Sequence, residues 1–356
     1  MRVPVPPCED RPRSAAGGTV KGRALTLVAI CIPARNEAAE LPGLFEALER
    51  LRPGPSHVCF LLDRCDDDSV ELIGDYTGCA TASVRMITAP TGCTTVGRAR
   101  HLAMQAGLAA LGGADGLLLT TDADSRPAPD WVSAMTRALS VADLVAGRIV
   151  RRADRPSALQ DRIETYYDSL FAMRRHLDPV PWEAAETHHH GGGANMGIRS
   201  EAYRALGGFT PRASGEDAAL LDAAARAGLR VRHDAACTVE TSDRREGRCP
   251  GGLANALRWA DTCDAAATFV AHPVDAAWQY RLHAAARTAF DTGRPWGVAA
   301  ALSLTRDHVI GVARDCPNGE AFAMRIVPVP PGGMRSVALP VAEAELAALL
   351  HGWAAA

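Results

Sequence analysis

From Leu25 onward the chain alternates short continuous apolar runs with stretches whose apolar residues recur at helical spacing. Leu25 to Ile32 is the first run, the mark of a strand buried on both faces, and Leu41, Leu44, Phe45, Leu48 and Leu51 follow at the three- and four-residue steps of a helix. An apolar strand over His57 to Leu62, a short helix after Asp68, a strand near Ser83 to Thr88, a helix over Val96 to Leu111 and a strand over Gly116 to Thr121 continue the series. Strands alternating with helices of this length predict a mostly parallel sheet covered on both faces. Ligands of such sheets bind at the carboxyl ends of the strands. Chemistry is therefore expected in the polar clusters that follow three of them: Arg35/Asn36/Glu37, Asp63 to Asp68, and Asp122/Asp124.

Further along, a strand is expected over Val141 to Val150, then a less regular stretch to about Glu186, then His188-His189-His190 and three glycines. Met196 to Ile198 reads as a strand or turn, and a helix opening near Ser200 is stopped by Gly207-Gly208. Glu216 to Ala227 reads as a helix closed by Gly228, with a strand over Leu229 to His233. Beyond Asp261 the pattern weakens to two helical stretches and a Pro-rich piece, Val327 to Gly333. Residues 1 to 23, rich in Pro, Arg and Gly without periodicity, read as a flexible leader.

Length and composition narrow the class. At 356 residues the chain suits two units or one large α/β domain with an appendage, and 47% hydrophobic with 22% charged residues is globular rather than disordered or coiled-coil. A net charge of -3 gives no global attraction to nucleic acid. Of 38 basic residues only Lys21 is lysine, which follows from a composition rich in Ala, Gly and Pro as well as Arg. Ten cysteines without a C-x-x-C pair give neither a zinc ribbon nor a dense disulfide frame, and reduced thiols in a cytoplasmic chain are expected. The longest strongly apolar run, Ala24 to Ala34, is about half the roughly 20 residues a bilayer requires, so no membrane span is expected.

Asp122-Ala123-Asp124 follows the apolar Leu117-Leu118-Leu119, and two carboxylates at i and i+2 past a strand end can hold a divalent cation whose remaining positions go to water and phosphate oxygens. An acidic residue at Asp63 is the type that receives ribose hydroxyls or a base N–H, while Asp67 or Asp68 suits the start of a helix. Glu216-Asp217 opens a helix after Gly215, where the helix dipole favours acids; the same pair can supply a general base with a second carboxylate beside it.

Taken in order, these segments resemble family 2 glycosyltransferases. Ile32-Pro33-Ala34-Arg35-Asn36-Glu37 resembles the first-strand signature, Leu62-Asp63 to Ser69 the second-strand acidic motif, and Asp122-x-Asp124 the D-x-D. Gly193-Ala194-Asn195-Met196 with Gly207-Gly208-Phe209 resembles the middle signature, and Gly215-Glu216-Asp217 the E-D motif. The resemblance covers about residues 25 to 250. It implies a GT-A fold, a Rossmann-like, mixed but mostly parallel sheet flanked by helices, over residues 24 to 268, with a partly helical C-terminal extension over 269 to 356. It also implies a nucleotide-diphosphate-sugar donor, Mg²⁺ or Mn²⁺, and a small-molecule or glycan-precursor acceptor.

Residue by residue, the resemblance places Pro33, Arg35 and Glu37 in the nucleotide pocket, Asp63 at the base or ribose, Asn195 in the donor site, and Asp122 at ribose or metal with Asp124 on the metal. Asp217 would be the catalytic base, with Glu216 near the sugar. Arg98 and Arg100, at the start of their helix, are candidates for a charged hydrogen bond to the diphosphate or for the surface. The family metal shell can take a distant histidine, for which His190 is the candidate; three consecutive side chains on an extended chain cannot all face one ion. Trp131 reads as packing, and Trp182 as packing or sugar stacking.

The sequence departs from the family at Arg64-Cys65, where an acidic residue and glycine are common, and at His101 in place of asparagine. Arg244 to Arg248 followed by Trp259 only loosely resembles the Q-x-x-R-W motif of processive members, so a single, configuration-inverting transfer per encounter is the expectation. Two others stay open: a nucleotidyltransferase, which would want a Gly-rich loop after the first strand, and a non-catalytic sugar-nucleotide-binding module, which would have no use for Asp217.

Overall fold

The computed structural model describes residues 26–91, 95–152, 154–247, 251–330 and 333–354; the leader and Arg248 lie outside them. The first half runs β1 (Leu27–Ala34), α1 (Leu41–Arg50), β2 (His57–Leu62), α2 (Ser69–Cys79), β3 (Ser83–Thr88), α3 (Val96–Ala110), β4 (Gly116–Thr120), β5 (Ser125–Pro127) and α4 (Trp131–Ala138). It continues with β6 (Leu144–Arg151), α5 (Ala158–Leu177), β7 (Met196–Arg199), α6 (Ser200–Leu206), α7 (Glu216–Arg226), β8 (Val231–Thr241) and α8 (Leu253–Ala260). A C-terminal segment follows: β9 (Phe269–Ala271), α9 (Pro273–Asp291), α10 (Arg306–Arg314), α11 (Gly319–Ile326), β10 (Ser336–Ala338) and α12 (Leu339–Ala354).

Among the described residues, eight strands form one sheet in the order β3-β2-β1-β4-β7-β6-β8-β5. β3, β2, β1 and β4 are parallel neighbours, and β6 and β8 are parallel, whereas β7 and β5 run against their neighbours. The strand period of two divides β1 between two cores. Val28, Ile30 and Ile32 face the layer of α1, α2 and α4, while Ala29 and Cys31 face that of α3, α6 and α7. Burial on both faces is why β1 reads as a continuous apolar run.

The first seven predicted elements appear where the pattern put them, with ends shifted by a residue or two. The stretch before Glu186 does not stay irregular: it contains α5, the longest helix. β8 is eleven residues rather than five, because its pairing with β6 slips at Gly147/Arg148, where Gly147 faces Asp234 but Arg148 faces Thr238. That bulge breaks the apolar alternation after His233. The slipped register carries β8 to the end of β5, pairing Ser125 with Thr241, and Ser242 N donates to the Asp124 carbonyl at 3.2 Å.

Among its described residues the C-terminal segment holds four α-helices where two helical stretches were expected. Part of it packs on itself through Phe322, Val309 and Ile326. Another part shares a core with α5, in which Tyr166, Leu170 and Met173 meet Val270, Ala276, Leu339 and Leu346. Asn318 Nδ2 donates to the Gly228 carbonyl at the end of α7 (2.8 Å). No described helix is long and apolar enough to cross a membrane, and the described cysteines form no disulfide.

α3 is drawn tightly into this frame by two glycines. A Cβ on Gly107 would stand 2.4 Å from Cys31 Sγ on β1, and one on Gly97 would stand 2.1 Å from the Thr210 carbonyl oxygen, in the loop that leads to α7. The second contact is with backbone, which cannot turn aside as a side chain can. Gly97→Ala is therefore expected to cost about 2 kcal/mol, measured by urea unfolding.

Candidate functional site

The site lies at the carboxyl ends of β1, β2 and β4, where it is closed by the loops before β7 and α7 and the chain after β8. The β1–α1 and β2–α2 loops are knitted to each other by the acidic cluster. Asp67 accepts from Ala38 N (2.9 Å) and Ser69 N (3.0 Å), Ser69 Oγ accepts from Glu37 N (2.9 Å), and Asn36 Oδ1 accepts from Asp66 N (2.9 Å). Asn36 and Arg64 both adopt left-handed backbone, each with φ of 52°. Thus Asp66 and Asp67 shape the loops, leaving Asp63 at the pocket. Its carboxylate is gripped by Arg64 through Nε and Nη2 at 3.0 and 3.1 Å.

A cavity of about 250 Å³ opens above these loops, lined by Pro33, Arg35, Glu37, Asp63, Asp122 and Asp124 together with Arg64, Arg100 and Arg244. Six of the residues expected around a nucleotide thus converge on one space, as does Arg100. Arg35 is half-buried there and has no carboxylate partner among the described residues. A second cavity of about 440 Å³ continues from the first through Val96, Arg100, Asp122, Asp124 and Arg244. Its far side carries Glu216 and Asp217, the backbone of Gly192, Gly193 and Ala194, and Ile149, Leu253 and Ala254.

Two arginines organise the carboxylates. Arg100, 4% exposed, donates from Nε to Glu216 Oε1 (3.2 Å) and from Nη1 to Asp122 Oδ1 (2.9 Å), Thr120 Oγ1 (3.2 Å) and the Gly193 carbonyl (2.9 Å). Burial alone would lower its pKa, but Asp122 and Glu216 outweigh that and hold it protonated. Of the two sequence readings of Arg100, the surface one does not hold: the side chain is buried, its Nε and Nη1 are engaged by four protein acceptors, and it lines both cavities.

Arg244, just past β8, donates to both Glu37 carboxylate oxygens at 2.6 and 2.7 Å and lies 3.1 Å from Asp124. Sequence reasoning passed over this residue as part of a loose motif, because the expected strand ended at His233 rather than at Thr241, three residues before Arg244. Burial, and then the charge of Asp122, push the Asp124 carboxyl up to about 7, with Arg244 opposing.

Asp217 stands at the second position of α7, after Gly215 in left-handed backbone (φ 71°). Its Oδ2 accepts from Gly193 N at 3.0 Å, which fixes the half-exposed carboxylate against the cavity. Glu216 beside it is buried on Arg100, and burial raises its pKa.

Three site expectations are corrected. Arg98 is exposed and lines neither cavity. Asn195 is fully buried: its Oδ1 accepts from Trp131 Nε1 (2.8 Å), and its Nδ2 donates to the carbonyls of Arg148 (2.7 Å) and Cys237 (2.8 Å), so it ties β7 to β6, β8 and α4 rather than meeting a donor. His190 groups with Asp168 and His189, not with Asp122 and Asp124, because the loop carries it toward α5. Trp182 is pinned by its Nε1 to the Val231 carbonyl (2.9 Å), and Trp259 is exposed on α8.

The sequence of residues 29–207, half of the chain, matches the family model "Glycosyl transferase family 2". The chain belongs to glycosyltransferase family 2. A search of curated proteins finds no match to it. Among solved structures, GalNAc-T7 with UDP, GalNAc and Mn²⁺ is similar to this glycosyltransferase with a TM-score of 0.51 at 14% identity, over 87% of this chain and 59% of that one. That likeness shows the GT-A fold. A mannosyltransferase of Pyrobaculum calidifontis with GDP-Man and Mn²⁺ gives 0.45 at 16% identity, over 84% of this chain and 85% of that one. S. aureus TarS gives 0.44 at 13% identity, and the match spans 61% of this chain and 36% of TarS.

Asn195→Ala leaves the Trp131 indole N–H and two carbonyls without partners, and is expected to lower stability by about 3 kcal/mol in chemical denaturation. A loss below about 1 kcal/mol would contradict its bracing role.

Proposed function

We propose that this family 2 glycosyltransferase moves one sugar from a nucleotide-diphosphate donor to a hydroxyl of a small-molecule or glycan-precursor acceptor, with inversion and with Asp217 as general base. The observation that carries the reading is that the Asp217 carboxylate and the Asp122/Asp124 pair open onto the same cavity. The donor nucleotide is assigned to the smaller cavity, with Asp63 at base or ribose and Arg35, which has no carboxylate partner among the described residues, toward its charged groups. The acceptor is assigned to the larger one.

A Mg²⁺ or Mn²⁺ ion fits the residues present. Asp122 and Asp124 offer carboxylate oxygens, the donor type of hard cations. The raised pKa of Asp124 reflects negative charge crowded in a buried space, which a cation relieves. Arg244 retains its two-pronged bond to Glu37 when Asp124 turns to an ion. Held there, the ion would offset charge on the departing diphosphate. The Mn²⁺ in the GalNAc-T7 structure supports the same choice.

The chain's own groups do the rest. The Gly193 N–H holds one oxygen of Asp217 and so aims the carboxylate at the acceptor hydroxyl, whose proton it takes as that oxygen attacks. A single displacement from the face opposite the leaving diphosphate inverts the anomeric carbon. Glu216, locked on Arg100, keeps Asp122 and α7 in fixed relation rather than exchanging a proton. Residues 269–356 are assigned the role of an extension that buttresses α5 and α7 around the catalytic domain.

Asp217→Asn is expected to lower kcat by about 10²–10⁴ while UDP binding with Mn²⁺, followed by calorimetry, persists; transfer at the wild-type rate would remove Asp217 as base. Because Asp124 must be ionised to bind a cation, Mn²⁺ affinity should rise about tenfold per pH unit up to about pH 7 and then level off. Asp124→Asn should bind weakly and without that slope.

A further inference from the structure

One cluster of ligand-type side chains is left unused by the transfer chemistry. Asp168 on α5 and His189 and His190 in the loop before β7 each bring one ligand atom within 4.8 Å of the others, and the group contains neither Asp122 nor Asp124. His189 Nδ1 lies 2.7 Å from Asp168 Oδ1, a distance at which two lone pairs repel unless a proton or a cation lies between them. The rings of His189 and His190 are 4.2 Å apart, and His190 Nδ1 is buried without a hydrogen-bond partner. Native interiors rarely leave such an atom unsatisfied.

Asp168 Oδ1 also accepts from the His189 backbone N–H at 3.0 Å. The surroundings orient these groups as outer partners of metal sites do. Arg148 bridges Asp168 Oδ2 (3.4 Å) and the Thr187 carbonyl (3.3 Å), and His233 Nδ1 stands 3.0 Å from the His190 carbonyl.

We propose that Asp168, His189 and His190 form a binding site for a borderline transition-metal cation of the Zn²⁺ or Co²⁺ type, separate from the Asp122/Asp124 pair. Two imidazole nitrogens and one carboxylate oxygen are the ligands of a three-residue zinc site with one position left for water, and nitrogen donors discriminate against Mg²⁺. The site joins α5 to the loop whose Gly193 holds both Asp217 and Arg100. Its ion therefore clamps the loop that positions the base.

The test uses the full-length chain, stripped by chelator and titrated with Co²⁺ while visible absorption is recorded. The expected result is a saturable ligand-field band that Zn²⁺ displaces and excess Mg²⁺ does not. The band persists in Asp122→Asn/Asp124→Asn, and Co²⁺ affinity falls at least about tenfold in His190→Gln and in Asp168→Asn. Circular dichroism checks that each variant is folded, and the near-isosteric Asp168→Asn decides the matter if His190→Gln does not fold. A wild-type chain without the band, a band lost in Asp122→Asn/Asp124→Asn, or unchanged affinity in folded Asp168→Asn overturns the proposal.

Discussion

A single buried guanidinium holds the site in register. Arg100 reaches from α3 to the end of β4, to the Gly193 carbonyl before β7 and to Glu216 at the start of α7. Residues 93 and 116 positions away in sequence meet on one side chain. Removing one partner of such a buried pair generally costs about 3–5 kcal/mol, because the other charge is stranded away from water. Asp122 and the helix that presents Asp217 are thereby fixed relative to each other. Gly97 makes this reach feasible: only without a Cβ can the start of α3 lie against the Thr210 carbonyl.

Arg244 plays a complementary part at the outer wall. It does not belong to the parallel half of the sheet, and it arrives at Glu37 and Asp124 only because β8 runs beyond its bulge to pair with β5. Without that cation, Glu37, Asp122 and Asp124 would crowd one small space with negative charge. With it, Asp124 is still pushed up to about 7. On the proposed function, that balance suits both ligands: the carboxylates would draw a cation, and the fixed positive charge of Arg35 and Arg244 would tolerate an anionic diphosphate.

What the sequence made legible follows from locality. β1 to β4 and their helices bury whole faces against near neighbours, so their apolar spacing alone marked them, and the acidic residues after those strands fell where a parallel sheet opens its crevice. The errors involve distant partners. α5 was missed because its apolar stripe is narrow and its covering residues, Val270, Ala276 and Leu346, come far later in the chain. Asn195 looked like a ligand residue because a polar side chain beside glycines suggests a site. Only the tertiary structure shows the Trp131 indole and two carbonyls that consume its hydrogen bonds. Arg100 was ambiguous for the same reason, since nothing local announces four acceptors from four parts of the chain.

The same long-range packing gives the C-terminal segment a bearing on the site. On α5, Tyr166, Leu170 and Met173 face that segment, whereas Asp168, two residues past Tyr166 and about half a turn round the helix, faces the histidine loop. Arg287 on α9 adds ion pairs to Asp178, at the end of α5, and to Glu320 on α11. α5 thus links the extension to the loop of residues 188–193. There the Gly193 N–H orients Asp217 and its carbonyl receives Arg100. The β1–β4 side of the cavity is built from short-range elements of the sheet, while the loop that holds Asp217 is linked through α5 to a segment more than fifty residues further along the chain.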